Sequence, residues 1–368
     1  MSEPGAEETA LLAAVERIAR AAAAPAITPE QERDKANAIL RGLAAERALS
    51  LPVPAALGGH GLPIAAAARL VASVATVSGS AALICAMHLA QTITLVRHGL
   101  SEALQDFLRR QVAQQILVAS GTSEVGVGGD IHKSLCATEP DGAGGFRLTK
   151  SAANISYLDQ AGAILATAMH ADGSRSVQRL ILLEASGFTC RVDRETLLMG
   201  MRGIVNRAVT IEAGFPAAAI FPEPFTVVAR VMSAASHILW AAAWSGLAAA
   251  ALDKVPERNA GRIGAAADGL YTMHALIRDA CTAFDGAGGG SAFRAATRFN
   301  SLKITCAGLA SQIVADCAAA AGFAGYAEGG AHSLSEIIRD SFSARIMISD
   351  DRLSGANAAV RRFVAERI

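Results

Sequence analysis

The segment 116–222 reads as short strands and turns set between two long helical regions, and a chain built in that order has few folds open to it. Its runs ILVASGT, HKSLCAT, FRLTKSA, AGAILATAM, VQRLILLEA, FTCRV and NRAVTIEA have strand character and are separated by turn formers such as EPDGAGG and ADGSRS. Residues 1–115 are instead alanine-rich with charges recurring on one side, which predicts helices. Breaks fall at Pro25, Pro29, Pro52 and Pro54, and Gly58, Gly59 and Gly61 bend the chain before a long helix near Pro63. Residues 223–368 predict long helices over 225–255, 262–284, 292–321 and 333–347, with glycine-rich connections at 286–290 and 322–330. The expected class is α+β: an N-terminal helical domain (1–115), a middle β-barrel or sandwich domain (116–222) and a C-terminal four-helix bundle (223–368).

With 52% hydrophobic and 18% charged residues the chain has ample material for a core. Its 33 basic and 33 acidic residues cancel, leaving no net field to attract nucleic acid or an anionic membrane. The N-terminus MSEPGAEETA is acidic where an export signal is basic and then apolar, so a cytoplasmic protein is expected. The most apolar segment, 237–252, is taken as a buried helix too short to cross a membrane. The six cysteines form no CxxC pair, so neither a disulfide framework nor a metal site is expected.

One stretch carries possible chemistry. In Ser120-Gly-Thr-Ser-Glu-Val-Gly-Val-Gly-Gly-Asp130 a strand runs into hydroxyl residues and then glycines. The dinucleotide fingerprint fails because Ile131 stands where its third glycine belongs, and a phosphate loop fails because no lysine follows. Either the glycines let a ligand approach the backbone or the stretch is a plain turn with hydroxyls facing solvent.

The order of regions resembles the acyl-CoA dehydrogenase family, and several motifs agree. Ser123-Glu-Val-Gly-Val-Gly-Gly-Asp130 is similar to its TEPxxGSD, LPVPAALGGHGLP to its P..lGG.G segment, and Leu198-Met-Gly-Met-Arg-Gly203 to its G.R strand. IEAGFPAAAIF resembles the segment closing the β domain, and GFAGYAEGG with IIRDS resembles the C-terminal GG.GY loop and RD helix. The resemblance implies FAD, lined by Ser120, Thr122 and Ser123 and by Asn154 and Ser156 on a second strand. Gly322, Phe323 and Gly325 of a neighbouring subunit would meet the cofactor, which implies a homodimer or homotetramer. It further implies an acyl thioester substrate near Gly129 and His237, and an electron-transfer flavoprotein or a flavin reductase as redox partner.

The chain also departs from the family. Its catalytic glutamate slot falls on Ile348, the alternative slot on Ser236, and Asp350 is the nearest carboxylate to serve as base. Asp350 is otherwise a helix cap or a partner of Arg352. Gly129 replaces the serine that touches the thioester, His237 the helix arginine beside the substrate, and only Arg258 and Arg262 stand in for an RxxFG stretch. His88, His98 and His237 are expected as satisfied helix histidines, Trp240 and Trp244 as a packing stripe, and Arg339-Asp340 as an ion pair or cap. Three functions are open: an FAD-dependent dehydrogenase of acyl thioesters, a flavin-dependent monooxygenase that needs no carboxylate base, and a non-redox relative without cofactor.

Overall fold

A computed structural model describes residues 5–286 and 292–364; the glycine-rich connection expected over 286–290 lies outside the described residues except for Gly286. Helices α1 (Ala6–Ala21) and α2 (Pro29–Ala45) flank the first proline turn. Thr28 and Gln31 close the start of α2 as a capping box, each side chain taking the other's backbone N–H, and Pro29 occupies the first turn, where its missing donor costs nothing. At the glycine bend, Gly58 and Gly61 have φ of +88° and +65°, and a Cβ on Gly59 would lie 2.2 Å from the Val53 carbonyl oxygen. Helices α3 (Ile64–Ala75), α4 (Gly79–His98) and α5 (Glu102–Gln114) complete this part, with α4 buried almost all round.

Among the described residues seven strands follow: β1 (Val118–Gly121), β2 (Glu139–Pro140), β3 (Gly145–Ser156), β4 (Ala163–Asp172), β5 (Arg175–Glu184), β6 (Phe188–Thr196) and β7 (Asn206–Pro216). They form one sheet in the order β1-β4-β5 and another in the order β2-β3-β7-β6. The pair β1 and β4 is parallel, with Ser120 opposite Leu165; the other pairs are antiparallel. On β3, Leu148, Lys150 and Ala152 point inward at period two until a register shift between Ala152 and Ile155 breaks the ladder. The strand expected at HKSLCAT does not form, apart from a single bridge between Ala137 and Met169. The Glu124 carboxylate takes the N–H groups of Leu135 and Cys136 that a ladder would have used.

The C-terminal part holds α6 (Phe225–Asp253), α7 (Gly264–Asp285), α8 (Ala292–Ala321), the short α9 (Phe323–Tyr326), α10 (Ser335–Ser341), α11 (Ser343–Ile346) and α12 (Asp350–Val364). Helices α6, α7, α8 and α12 pack together as the bundle. The single helix expected over 333–347 is split, because the Ser341 and Ser343 hydroxyls take the carbonyls of Ile338 and Asp340 at 2.8 and 2.6 Å. The segment 237–252 belongs to a helix of 29 residues, so it is not too short to cross a membrane; α4, α6 and Arg294–Ala321 all suffice by length and composition. In this fold α6 is packed instead: a Cβ on Gly246 would lie 2.2 Å from the Ala72 carbonyl oxygen of α3.

The three parts are tied at one place. Buried Glu32 of α2 pairs with Arg202 of the β6–β7 connection and with Arg339 of α10, whose second partner is Glu328. Next to it the Asp340 carboxylate accepts from the Met201 N–H, while its Oδ2 is buried without a partner. Arg339 and Asp340 are therefore structural, and they do not pair with each other.

Candidate functional site

The hydroxyl residues converge where β1 ends against the bulged end of β3. Ser120 and Thr122, two apart on an extended backbone, bring their oxygens within 3.1 Å. The Ser123 hydroxyl donates to the Asn154 carbonyl at 2.6 Å and accepts from its N–H at 3.2 Å, sewing the two strand ends together. Across the sheet, Ser156 donates to Asn206 Oδ1 at 2.7 Å and Asn154 Nδ2 reaches the same oxygen at 3.4 Å. Asn206, buried at the start of β7, donates in turn to the Ile204 carbonyl at 3.0 Å. Asn206 is a hub that sequence reasoning missed, because the register between β3 and β7 sets its partners. Ser120, Thr122, Ser123 and Ser156 are all partly exposed and Asn154 is exposed.

Behind this neutral edge stands a buried ion pair. Glu124 accepts from Lys150 Nζ at 2.8 Å, from Ser134 at 2.7 Å and from the N–H groups of Leu135 and Cys136 at 3.0 and 2.7 Å. Burial opposes its ionisation, but the Lys150 and Ser134 bonds outweigh burial and hold the carboxyl below its usual range. The lysine also donates to the carbonyl and the hydroxyl of Thr167 on β4, at 3.0 and 3.4 Å. Glu124 thus fixes the loop 122–136, whose Gly126, Gly128 and Gly129 have φ of +91°, +64° and +76°. A Cβ on exposed Gly128 or Gly129 would meet nothing within 4 Å. At the other end of β1, buried His88 accepts from the Val118 N–H at 3.0 Å and meets the Leu49 carbonyl at 2.8 Å. Burial pulls its pKa down to about 4, so it is a neutral bracket for β1.

The chain aligns over its whole length with solved structures of one fold. Butyryl-CoA dehydrogenase from Megasphaera elsdenii superposes with a TM-score of 0.81 at 17% identity, covering 98% of this chain and 99% of that one. KijD3 in complex with dTDP gives 0.80 at 22% identity, covering 99% and 98%. FMN-bound TdsC from Paenibacillus sp. A11-2 gives 0.80 at 14%, covering 97% and 98%. Residues 5–115 match the family described as acyl-CoA dehydrogenase, N-terminal domain. The chain is acyl-CoA dehydrogenase-like in fold. No curated protein sequence matches it.

Within the acyl-CoA dehydrogenase fold, the remaining candidate residues are not gathered at the hydroxyl edge. Asp350 begins α12 and its Oδ1 accepts from Lys303 Nζ of α8 at 2.5 Å, with Arg345 at 3.7 Å from its Oδ2. It neither caps the helix, a role taken by the Ser349 hydroxyl toward the Arg352 N–H, nor pairs with Arg352. Lys303 is fully buried, also donates to the Ala344 carbonyl at 3.0 Å and lies 5.3 Å from the Trp244 ring centre. Burial lowers its pKa, with the Asp350 bond acting against that shift. His237 is buried too, and burial, then the Lys303 and Arg352 charges, push its pKa down to about 3. It bonds the Phe299 carbonyl of α8 and feels the charges of Lys303 on α8 and Arg352 on α12. Trp240 and Trp244 stack edge to face at 5.9 Å as the expected stripe, and His98 meets Glu223. At the family's base slots stand Ile348, with φ of +55°, and Ser236, whose hydroxyl bonds the Met232 carbonyl at 2.7 Å.

Gly325 is packed against Ala321 and Leu334 and leaves no room for a Cβ. Gly322, with φ of +62°, and Phe323 are exposed at the end of α8 beside exposed Tyr326. Arg262, exposed, donates to the Ala320 carbonyl at 3.5 Å.

Proposed function

We propose that the chain is a flavin-dependent oxidoreductase that holds its isoalloxazine against Ser120, Thr122, Ser123, Asn154 and Ser156. The observation that carries this reading is the donor set itself: four partly exposed hydroxyls and an exposed amide at two joined strand ends. Such a neutral, bifunctional edge suits the dione edge of a flavin, and carries no cation for a phosphate. Bound flavin would supply hydride and electron transfer and, when reduced, reactivity toward oxygen. Ser123 and Ser156 orient the ring edge, Glu124 and Lys150 hold the loop beside it, and Asn206 keeps Asn154 and Ser156 in register. FAD follows from the resemblance; exposed Phe323 and Tyr326 near Gly322 supply an apolar surface on which a second subunit of a homo-oligomer would complete that site. A cytoplasmic location remains part of this proposal.

The substrate chemistry follows from the C-terminal corner. Abstraction of an α-proton from an acyl thioester needs a carboxylate free to accept it, and Asp350 is already engaged by Lys303 while Ile348 and Ser236 have none to offer. We therefore favour a monooxygenase served by a flavin reductase over an acyl thioester dehydrogenase served by an electron-transfer flavoprotein. The likeness to butyryl-CoA dehydrogenase supports the dehydrogenase reading, and that to FMN-bound TdsC is compatible with FMN in place of FAD. The test is an anaerobic titration of the reconstituted protein with butyryl-CoA and glutaryl-CoA, followed by oxygen uptake with chemically reduced flavin. Unchanged absorbance with both thioesters and rapid oxygen uptake are expected; bleaching by either thioester would restore the dehydrogenase.

A further inference from the structure

Helix α12 lies along α8 with little apolar surface between them. From Asp351 to Arg362 the one buried side chain is Leu353, and it stands apart from the contiguous hydrophobic core of the bundle. Asn357 and Val360 are half-buried and the rest of that span is exposed. What holds α12 down is polar. Asp350, at its first residue, accepts from Lys303 Nζ; two turns on, Asn357 Oδ1 accepts from Asn300 Nδ2 at 3.0 Å and Asn357 Nδ2 donates to the Ser301 hydroxyl at 3.2 Å. A helix of 15 residues draws most of its stability from the surface it packs on, so these few bonds and one leucine decide where α12 sits. The link to α11 is strained as well: Ile348 and Ser349 carry φ of +55° and +24° in succession, a backbone that a β-branched residue adopts only under constraint. Ser349 is tied to α12, its hydroxyl and carbonyl accepting the N–H groups of Arg352 and Leu353 at 3.4 and 3.1 Å.

We propose that α12 is a strap that swings as a unit about Ile348 and Ser349. In its closed position Asp350 holds Lys303; in its open position Lys303 loses that partner and meets solvent. A segment with few buried apolar contacts and with bonds within reach of water opens at low free energy. Relief of the backbone at Ile348 and Ser349 offsets part of what the lost bonds cost. Lys303 is fully buried beside the Trp244 ring while α12 is closed, so the strap controls access to the interior of the bundle at that corner. The strap needs no flavin and stands or fails apart from the flavin edge.

The test is amine labelling of the native full chain, because two lysines are fully buried and ion-paired: Lys303 under α12 and Lys150 in the β part. Unfolding of the whole chain labels both together, whereas opening of α12 labels Lys303 alone. Reductive methylation with formaldehyde and cyanoborohydride, read by peptide mass spectrometry, should modify Lys303 at least about tenfold faster than Lys150. Leu353→Ala removes the one buried leucine and should speed Lys303 by about tenfold or more. Asn357→Ala should speed it by about fivefold, as for one net hydrogen bond, and Lys150 should keep its rate in both variants. Ser349→Asn keeps a capping oxygen and accepts a left-handed φ, so it should slow Lys303 by about threefold. Lys303 labelled no faster than Lys150 would overturn the proposal, as would an unaltered Lys303 rate in Leu353→Ala. Amide hydrogen exchange separates a swing from fraying: a strap exchanges Leu353 to Arg362 at one rate, and a steady gradient inward from Arg362 with Lys303 unlabelled would also overturn it.

Discussion

The edge at the ends of β1 and β3 and the corner where α8 meets α12 both concentrate polar side chains, yet they are built on opposite plans. At the edge the groups are neutral, partly exposed, and bonded to one another in a way that leaves acceptor capacity unused. At the corner they are charged, buried and closed on themselves: Lys303 spends its donors on Asp350, Ala344 and the face of Trp244. Polar groups kept available to a ligand look like the first; polar groups that hold helices together look like the second. The edge leaves its polar groups within reach of a ligand, whereas the corner near Ile348 and Asp350 commits its charges to packing.

The sharpest way to break that contrast is to break the corner. Lys303→Met leaves Asp350 buried without its partner and should cost about 3–5 kcal/mol in urea unfolding, as buried pairs do when one member is removed. Adding Asp350→Leu should recover most of the loss. If Lys303→Met were as stable as the wild type, Asp350 would be free to ionise toward solvent or substrate, and the dehydrogenase reading would gain. Asp340 offers a second test on a carboxylate with no cation of its own. Burial raises its pKa to about 8, against a backbone bond from Met201 that lowers it. Between the ordinary carboxylate range near pH 4 and pH 8 the folded chain keeps a proton that the unfolded chain has lost, so stability falls as pH rises, by at most about 1.4 kcal/mol per unit, and levels off above. Asp340→Asn should flatten that stretch of the stability profile; an unaltered slope would show that Asp340 is ionised at neutral pH.

Smaller effects are expected at the edge. Ser123→Ala and Ser156→Ala should each weaken flavin binding about five- to tenfold, near 1 kcal/mol, because each hydroxyl is one bond among several. Their unfolding free energies should move by no more than about 1 kcal/mol. An edge that served only as a turn would show the stability change and no change in flavin affinity.

The sequence carried the order of helices, strands and helices because texture follows burial: period-two runs such as FRLTKSA became β3, and the alanine-rich stretch around Trp240 became α6. Where it misled, a side chain had taken over backbone bonding. Glu124 consumed the amides of HKSLCAT, and two serines cut the helix expected over 333–347. The hydroxyls of the edge were legible as a motif, but Asn206 was not, since its role arises from register between β3 and β7 and not from spacing along the chain. Lys303 was invisible for a related reason. Its partner lies 47 residues away on another helix, and only the bundle makes them neighbours.

The central claim, that Ser120, Thr122, Ser123 and Ser156 form a flavin edge, is tested most directly by one spectrum. The purified chain is incubated with FAD and separately with FMN, passed through gel filtration, and its visible absorption recorded. Flavin bands that co-elute with the protein, and fall in the Ser156→Ala variant, are the predicted result. A protein that emerges colourless from both incubations would contradict the account and leave the edge as a joint between two strands.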